Sequence, residues 1–142
     1  MFQCMNRSDL QTLSETRLDD GVLLLKAGRH SGAYYMLGYA VECALKAAVA
    51  KQIREHDFPD KKLVVDSHTH DLIKLLSLSG LRAAFDARTK SDSTFAINWA
   101  TTKDWNESTR YSTSITKILA RDLHAAITDQ TSGVLPWLRT QW

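Results

Sequence analysis

The chain has 142 residues, of which 44% are hydrophobic and 24% charged, values that are ordinary for one soluble globular domain. Only 6 glycines and 2 prolines occur, which argues against a turn-rich β architecture. The 18 basic and 16 acidic side chains leave a net charge of +2, so the chain lacks the strongly basic balance that is typical of dedicated duplex-DNA binders.

The cysteines and the amino terminus narrow the class of protein further. Cys4 and Cys43 form no CxxC motif and no Cys/His cluster, so we expect no metal site, no cofactor and no disulfide, and we expect Cys43 to be a small buried hydrophobe. The first residues lack a basic start followed by an apolar run, so no signal peptide is expected. The most apolar stretch, residues 33–50, contains Glu42 and Lys46, which disfavours a membrane span and favours a cytoplasmic protein.

The first half of the chain predicts two helices. Apolar residues at spacings of three and four predict an amphipathic helix over residues 9–27, after a flexible tail at residues 1–8. Gly28 is expected to end this helix, and residues 29–32 are expected to form a turn. The segment 33–54 is apolar on nearly every side, which is typical of the central helix of a bundle, and its alanines and glycines would let neighbouring helices approach closely.

The second half of the chain shows shorter apolar patterns interrupted by polar stretches. Thr69 is expected to cap a short helix, another helix to begin at Ser112 and end before Gly133, and Pro136 to start a last short piece. A further short helix is expected over residues 81–87, and a less regular segment over residues 95–105. The stretches expected to form loops are residues 57–62 and 89–94, and the tryptophans expected to pack in or over the core are Trp99, Trp105, Trp137 and Trp142.

The predicted central helix carries a row of polar side chains on an otherwise apolar surface. The row consists of Tyr35, Tyr39, Glu42 and Lys46, and we call it the polar stripe. Its members are four, three and four residues apart, so at about 100° per residue they share one face of the helix. Glu42 and Lys46 stand at i and i+4 in the favourable order for an ion pair.

Charged groups on a buried helix face need partners, because an unpaired charge there is costly. We infer that Glu42, His70 and Arg110 converge. His68 and Asp71 are further candidates, although Asp71 also suits the first turn of a helix. The same groups could instead only fix how the helices pack in register, which leaves a purely structural role open.

Four short segments, in this order along nearly the whole chain, carry a resemblance to the HEPN family of nucleotide- and RNA-associated helical bundles. They are AYYMLGYAVECALKA at 33–47, THDL at 69–72, the stretch from Trp105 to Arg110 and Tyr111, and GVLPWL at 133–138. The resemblance implies an all-α, up-and-down bundle of four main helices and short extra helices, in a single domain over residues 1–142. It also implies a homodimer, encoded beside a minimal nucleotidyltransferase in a toxin–antitoxin pair or acting in a defence system.

Many HEPN proteins are metal-independent ribonucleases whose motif is an arginine, four to six intervening residues and a histidine. Arg110 resembles the family arginine, but residues 115–117 are Ile, Thr and Lys, and no arginine of this chain has a histidine at that spacing. An arginine stays protonated and cannot readily act as a general acid or base. A catalytic histidine would have to come from elsewhere, and His70 is the best candidate.

Three functions stay open at this point. The first is a module that binds a nucleotide, RNA or a partner protein without cutting, in which cations contact phosphate and tyrosines stack on bases. The second is an endoribonuclease toxin in which His70 replaces the usual histidine, and the third is a scaffold whose polar stripe only locks helix packing. The residues assigned to catalysis are His70, Arg110 and Tyr111, and those assigned to nucleotide or phosphate binding are Tyr35, Tyr39, Glu42, Lys46 and Asp71.

Overall fold

The structure is a computed structural model that describes residues 5–55 and 61–142. Within these ranges the chain forms eight α-helices and one short 3₁₀ helix and has no β-strand, which confirms the predicted all-α bundle. The elements are α1 (Arg7–Lys26), α2 (His30–Glu55), α3 (Lys61–Asp66), α4 (Leu72–Leu78), α5 (Arg82–Ser91), α6 (Ser93–Lys103), the 3₁₀ helix (Glu107–Tyr111), α7 (Lys117–Thr128) and α8 (Val134–Gln141).

Helix α1 starts earlier than its apolar pattern predicts. The Asn6 side chain accepts a hydrogen bond from the Asp9 backbone N–H at 2.8 Å, and the Asp9 carboxylate accepts one from the Asn6 N–H at 3.1 Å. This reciprocal capping box fixes the first turn, so the flexible tail predicted over residues 1–8 is too long. Residues 1–4 of that tail lie outside the described residues.

A tight connection joins α1 to α2. Gly28 has a φ of 78°, the left-handed conformation that ends a helix at low steric cost, and it ends this one as predicted. The turn predicted over residues 29–32 is wrong beyond Arg29, because α2 already begins at His30. The first amides of a helix have no intrahelical partner, so small and polar residues are tolerated there.

Small residues hold α1 and α2 close together in an antiparallel pair. The buried Ser14 hydroxyl donates a hydrogen bond to the Ala40 carbonyl at 2.7 Å. A Cβ added at Gly21 would lie 2.8 Å from the side chain of Leu37. The close approach predicted from the alanines of α2 is therefore confirmed at Ala40. Gly21 of α1 allows a second close approach of the two helices.

Helix α2 is the central helix of the bundle, as predicted. It packs against α1, α4, α7, α8 and the 3₁₀ helix. Its buried side chains lie on nearly every side of the helix axis, and Cys43 is among them, as expected. The buried apolar residues of α2 are Ala33, Tyr34, Leu37, Ala40, Val41, Cys43, Ala44, Leu45, Ala47, Ala48 and Val49.

The segment between α2 and α4 differs from its prediction in two ways. Residues 57–60 of the predicted loop lie outside the described residues, but Lys61 and Lys62 belong to α3. The cap of α4 is Asp71 rather than Thr69, since the Asp71 carboxylate accepts from the backbone N–H of Ile73 at 2.9 Å. The threonine lies two residues too early and instead accepts from the Asp71 N–H at 3.2 Å.

The polar stretch 89–94 is helical rather than a loop. Helix α5 runs to Ser91 and α6 starts at Ser93, with Asp92 as the single joint between them. The Asp92 carboxylate accepts a hydrogen bond from the Phe95 N–H at 3.0 Å and another from the Ser132 hydroxyl at 2.8 Å. A carboxylate that caps the second helix removes the need for a loop, and polar residues are acceptable on the exposed side of both helices.

Aromatic side chains fill the core where α5, α6 and α8 meet. Phe85, Phe95 and Trp137 form edge-to-face pairs with centroid distances between 5.3 and 6.0 Å. The segment expected to be irregular is thus helical up to Lys103, whereas α7 begins at Lys117, five residues later than predicted. Trp105 and Trp137 are buried as expected. Within the described ranges, no helix is long and apolar enough to cross a bilayer.

Candidate functional site

Three separate parts of the chain meet on the face of α2 that carries the polar stripe. The stripe itself runs from Tyr35 to Lys46. His70 reaches it from the segment before α4, and the 3₁₀ helix lies over its amino-terminal part. The site is therefore assembled by the packing of α2 against its neighbours and not by one local motif.

Glu42 is the centre of this site. It is 1% exposed, and both of its carboxylate oxygens have partners. Lys46 Nζ lies 3.3 Å from Oε2, and His70 Nδ1 lies 3.0 Å from Oε1. The predicted Glu42–Lys46 pair and the predicted approach of His70 to Glu42 are both confirmed.

A second carboxylate, Glu107, links His70 to Arg110. Its Oε2 lies 3.5 Å from His70 Nε2, and its Oε1 lies 2.9 Å from Arg110 Nη1. The predicted convergence of Arg110 with Glu42 and His70 therefore occurs, but through a residue that the sequence analysis missed. The sequence does contain one signal for Glu107, because it lies three residues before Arg110, at a spacing that allows an ion pair.

The geometry assigns the proton positions of His70. An ionised carboxylate has only acceptors, so Nδ1 must donate to Glu42. A neutral imidazole then carries its proton on Nδ1 and has none on Nε2, which lies 3.5 Å from Glu107 Oε2. A protonated imidazole donates to both carboxylates. In both forms the contact with Glu42 holds the orientation of the ring.

The two tyrosines of the stripe lie side by side on α2. Their rings stack at 5.9 Å between centroids. Burial, together with nearby Cys43 and Glu42, raises the pKa of Tyr39 to about 12. Burial also raises the pKa of Tyr35, although the nearby Arg110 guanidinium acts to lower it. Neither phenol therefore supplies a charge at neutral pH.

Trp105 fixes the 3₁₀ helix on α2. Its side chain is 2% exposed and lies on Gly38, where an added Cβ would come within 2.2 Å of the indole Nε1. The indole also lies 6.0 Å from the Tyr35 ring. The Asn106 side chain then caps the 3₁₀ helix by accepting from the Ser108 N–H at 3.0 Å. This anchor positions Glu107 and the residues after it.

Arg110 and Tyr111 form the outer end of the site. The Arg110 side chain is 45% exposed, and its guanidinium lies 4.7 Å from the centroid of the Tyr111 ring. Tyr111 itself is 75% exposed. An exposed aromatic ring paired with a guanidinium is the type of surface on which an unpaired base can stack.

Two of the candidates do not join this network. The Asp71 carboxylate caps α4 through the N–H groups of Ile73 and Lys74, so its hydrogen bonds serve the helix and not the polar stripe. His68 is exposed, and its backbone N–H bonds to the Val65 carbonyl. The assignment of Asp71 to phosphate binding therefore gains no support from its contacts.

The site is an open surface strip rather than a pocket. Two depressions of the described surface lie elsewhere, one of about 250 Å³ beside Gln52 and Gly80, and one of about 310 Å³ beside Asn98 and Asp122. Among the described residues, no three His, Cys, Asp or Glu side chains are arranged to hold a metal ion. The strip instead offers alternating charges beside exposed aromatic surface, which suits an extended, charged ligand.

Comparisons of this chain with protein-family models, with curated proteins and with solved structures found no match. The likeness to HEPN proteins therefore remains a resemblance carried by short sequence segments. What the site does has to be inferred from its own geometry.

Proposed function

We propose that this protein is a HEPN-like binding module that holds a nucleotide or a short single-stranded RNA along the polar stripe and the 3₁₀ helix, without cutting it. The observation that carries the proposal is the exposed pair of Arg110 and Tyr111, which stands at the end of a continuous chain of charges. That chain runs Lys46, Glu42, His70, Glu107 and Arg110.

Each group of the strip has a role that fits such a ligand. Arg110 has five N–H donors and can bind a phosphate through more than one of them. Tyr111 offers an exposed ring on which a base can stack, an interaction worth about 1–3 kcal/mol. Glu42, closed off from water, orients the Lys46 ammonium and the His70 imidazole, so that both groups are held at fixed positions.

A single strand fits the strip better than a duplex. The net charge of +2 gives no broad basic surface for two phosphate backbones. Recognition by stacking also requires bases that are already unpaired, as in loops and single strands. The proposed ligand is therefore a free nucleotide or an unpaired stretch of RNA.

The biological setting that we propose follows from the HEPN resemblance alone. The module would act as a homodimer in a toxin–antitoxin or defence-type system, with a nucleotidyltransferase or another cognate protein as its partner. Sedimentation of the purified chain tests the dimer, and co-purification with the product of a neighbouring gene tests the partner.

Binding of a labelled single-stranded RNA of about ten nucleotides tests the module directly. Fluorescence anisotropy should show saturable binding to the wild type and roughly tenfold weaker binding to Arg110→Ala, the scale of one charge-assisted contact. The matched control is Arg82→Ala, because Arg82 is also exposed, lies 3.4 Å from Asp86 and sits 5.7 Å from the Phe85 ring. Equal losses in both variants, or no binding to the wild type, would contradict the proposal.

The second candidate function is a metal-independent endoribonuclease that uses His70 and Arg110. The observation in its favour is the 3.0 Å contact between Glu42 and His70 Nδ1, together with the Glu107 carboxylate, which lies 3.5 Å from His70 Nε2 and 2.9 Å from Arg110 Nη1. His70 would take the proton of a 2′-hydroxyl as that oxygen attacks phosphorus, Arg110 would stabilise the phosphate charge, and Tyr111 would help position the phosphate. The bond to the 5′-oxygen would then break, and that oxygen would take a proton from water.

Incubating RNA with the protein in the presence of a chelator separates the two functions. The binding module predicts intact RNA. Cleavage that leaves a 2′,3′-cyclic phosphate and disappears in His70→Ala would establish the enzyme instead. If the protein neither binds nor cleaves RNA, the remaining function is that of a scaffold, in which the stripe serves only helix packing.

A further inference from the structure

We propose that the Glu107 carboxylate is an internal substitute for the phosphate of the ligand. It occupies the anion position between His70 and Arg110, and its side chain must move aside when a phosphate binds. Glu107 thereby sets how tightly the strip holds an anion. This inference rests on the proposed function, since it concerns the same strip of residues.

The contacts of Glu107 are those that a phosphate would make. One carboxylate oxygen lies 2.9 Å from Arg110 Nη1, and the other lies 3.5 Å from His70 Nε2. A phosphate group presents several terminal oxygens around one centre and can span the same two donors. No second anion can use this position while Glu107 is present, because like charges at such a distance repel.

Exposure separates this carboxylate from the other one in the site. The Glu107 side chain is 27% exposed, and both of its partners are open to solvent, so its ion pairs are weak and screened by water. Glu42, in contrast, is closed off from water and has both oxygens paired. The outer carboxylate can therefore be displaced at low cost, whereas the inner one is fixed.

The backbone around Glu107 can stay in place during this displacement. Trp105, two residues before Glu107, packs on Gly38, and the Asn106 side chain caps the 3₁₀ helix. A glutamate has three side-chain torsions, so a change of rotamer is enough to remove its carboxylate from between His70 and Arg110. The site then gains an anion without unfolding the turn that carries Arg110.

Titration with inorganic phosphate at constant pH and ionic strength tests this inference. The ring signals of His70, assigned by comparison with His70→Gln, report binding in long-range ¹⁵N–¹H NMR spectra. Glu107→Gln should bind phosphate roughly three- to tenfold more tightly than the wild type, the scale of one exposed charge interaction. The matched control is Glu15→Gln, which removes the carboxylate of another half-exposed arginine pair, 2.6 Å from Arg139, and should bind as the wild type does.

Competition by acetate distinguishes two effects of Glu107→Gln, namely release of the anion position between His70 and Arg110 and a general reduction of negative charge. If Glu107 fills the anion position, acetate should shift the His70 signals of Glu107→Gln, compete there with phosphate, and leave the wild type unchanged. Tighter phosphate binding without competition by acetate would overturn the inference. Equal phosphate binding by the wild type and Glu107→Gln would overturn it while the proposed function stands. Absence of both phosphate and RNA binding in every variant would overturn both.

Discussion

Glu42 carries a charge in a position that is almost closed to water. Its two oxygens bind Lys46 and His70, which are themselves partly exposed. A buried carboxylate with partners of this kind stabilises the fold only while those partners are present. The same pairing holds the imidazole in one orientation, so one residue serves both stability and the site.

Replacement of Glu42 by glutamine should lower the free energy of unfolding by about 2 kcal/mol, since it removes charge from two hydrogen-bonded contacts and keeps the shape. Denaturant unfolding at neutral pH measures this loss. The matched control is Glu15→Gln, whose exposed pair with Arg139 should contribute below about 1 kcal/mol. A smaller effect at Glu42 than at Glu15 would show that the buried network does not contribute as described.

Single residues of the site could be predicted from the sequence where they interrupt a periodic apolar pattern. Tyr35, Tyr39, Glu42 and Lys46 stand out because polar groups on an apolar helix are exceptional. Glu107 does not stand out, because a glutamate in a polar segment is ordinary and its importance comes from contacts across the fold. The residue type of Asp71 suggests a place in the site, whereas its position directly before Leu72, the first residue of α4, makes it the cap of that helix.

Among the elements, the 3₁₀ helix depends on one close contact. Trp105 lies so near Gly38 that a side chain there would collide with the indole ring. Helix α2 therefore carries a glycine in its interior, despite the lower helix propensity of that residue. The contact determines where the segment bearing Glu107 and Arg110 begins.

Gly38→Ala should lower the free energy of unfolding by about 1–2 kcal/mol, because steric strain of about 1–3 kcal/mol exceeds the gain of up to about 1 kcal/mol in helix propensity. The control in the same helix is Gly32→Ala, where an added Cβ meets only the Leu24 side chain at 3.4 Å. That variant should unfold at the same denaturant concentration as the wild type or a higher one. A Gly38→Ala protein at least as stable as Gly32→Ala would contradict the described packing.

The joint between α5 and α6 depends on Asp92. Hydrogen bonds from the Phe95 N–H and the Ser132 hydroxyl lower the pKa of its carboxyl below the ordinary value of 3.8. The charged form is thus favoured in the folded state, so its contribution is fully present above the unfolded pKa. The contribution disappears as the pH falls through the lower, folded pKa.

Asp92→Ala should therefore lower the thermal midpoint at pH 6, and the difference from the wild type should shrink once the pH falls below 3.8. Asp92→Asn, which keeps an acceptor for the cap, should lose less than the alanine variant at pH 6. Thermal unfolding followed by circular dichroism across this pH range measures both effects. A difference that grows toward acid pH would show that the charged carboxylate is not what stabilises the joint.

For the whole molecule, the helical class and the central position of α2 could be predicted because apolar periodicity reports burial directly. The helix boundaries in the second half could not. Residues 89–94 look like a loop by composition, but a single capping carboxylate joins two helices there. The assembly of the site shows the same limit, since sequence spacing within α2 gives one face, and tertiary packing supplies His70 and the 3₁₀ helix.

Mapping of backbone amide signals by NMR during titration with a short single-stranded RNA tests whether a nucleotide or RNA binds along the strip from Lys46 to Tyr111. The signals that shift should belong to the polar stripe, to His70 and to the 3₁₀ helix, and Arg110→Ala should weaken these shifts. Shifts confined to the depression beside Asn98 and Asp122, or no shift at saturating RNA, would contradict it.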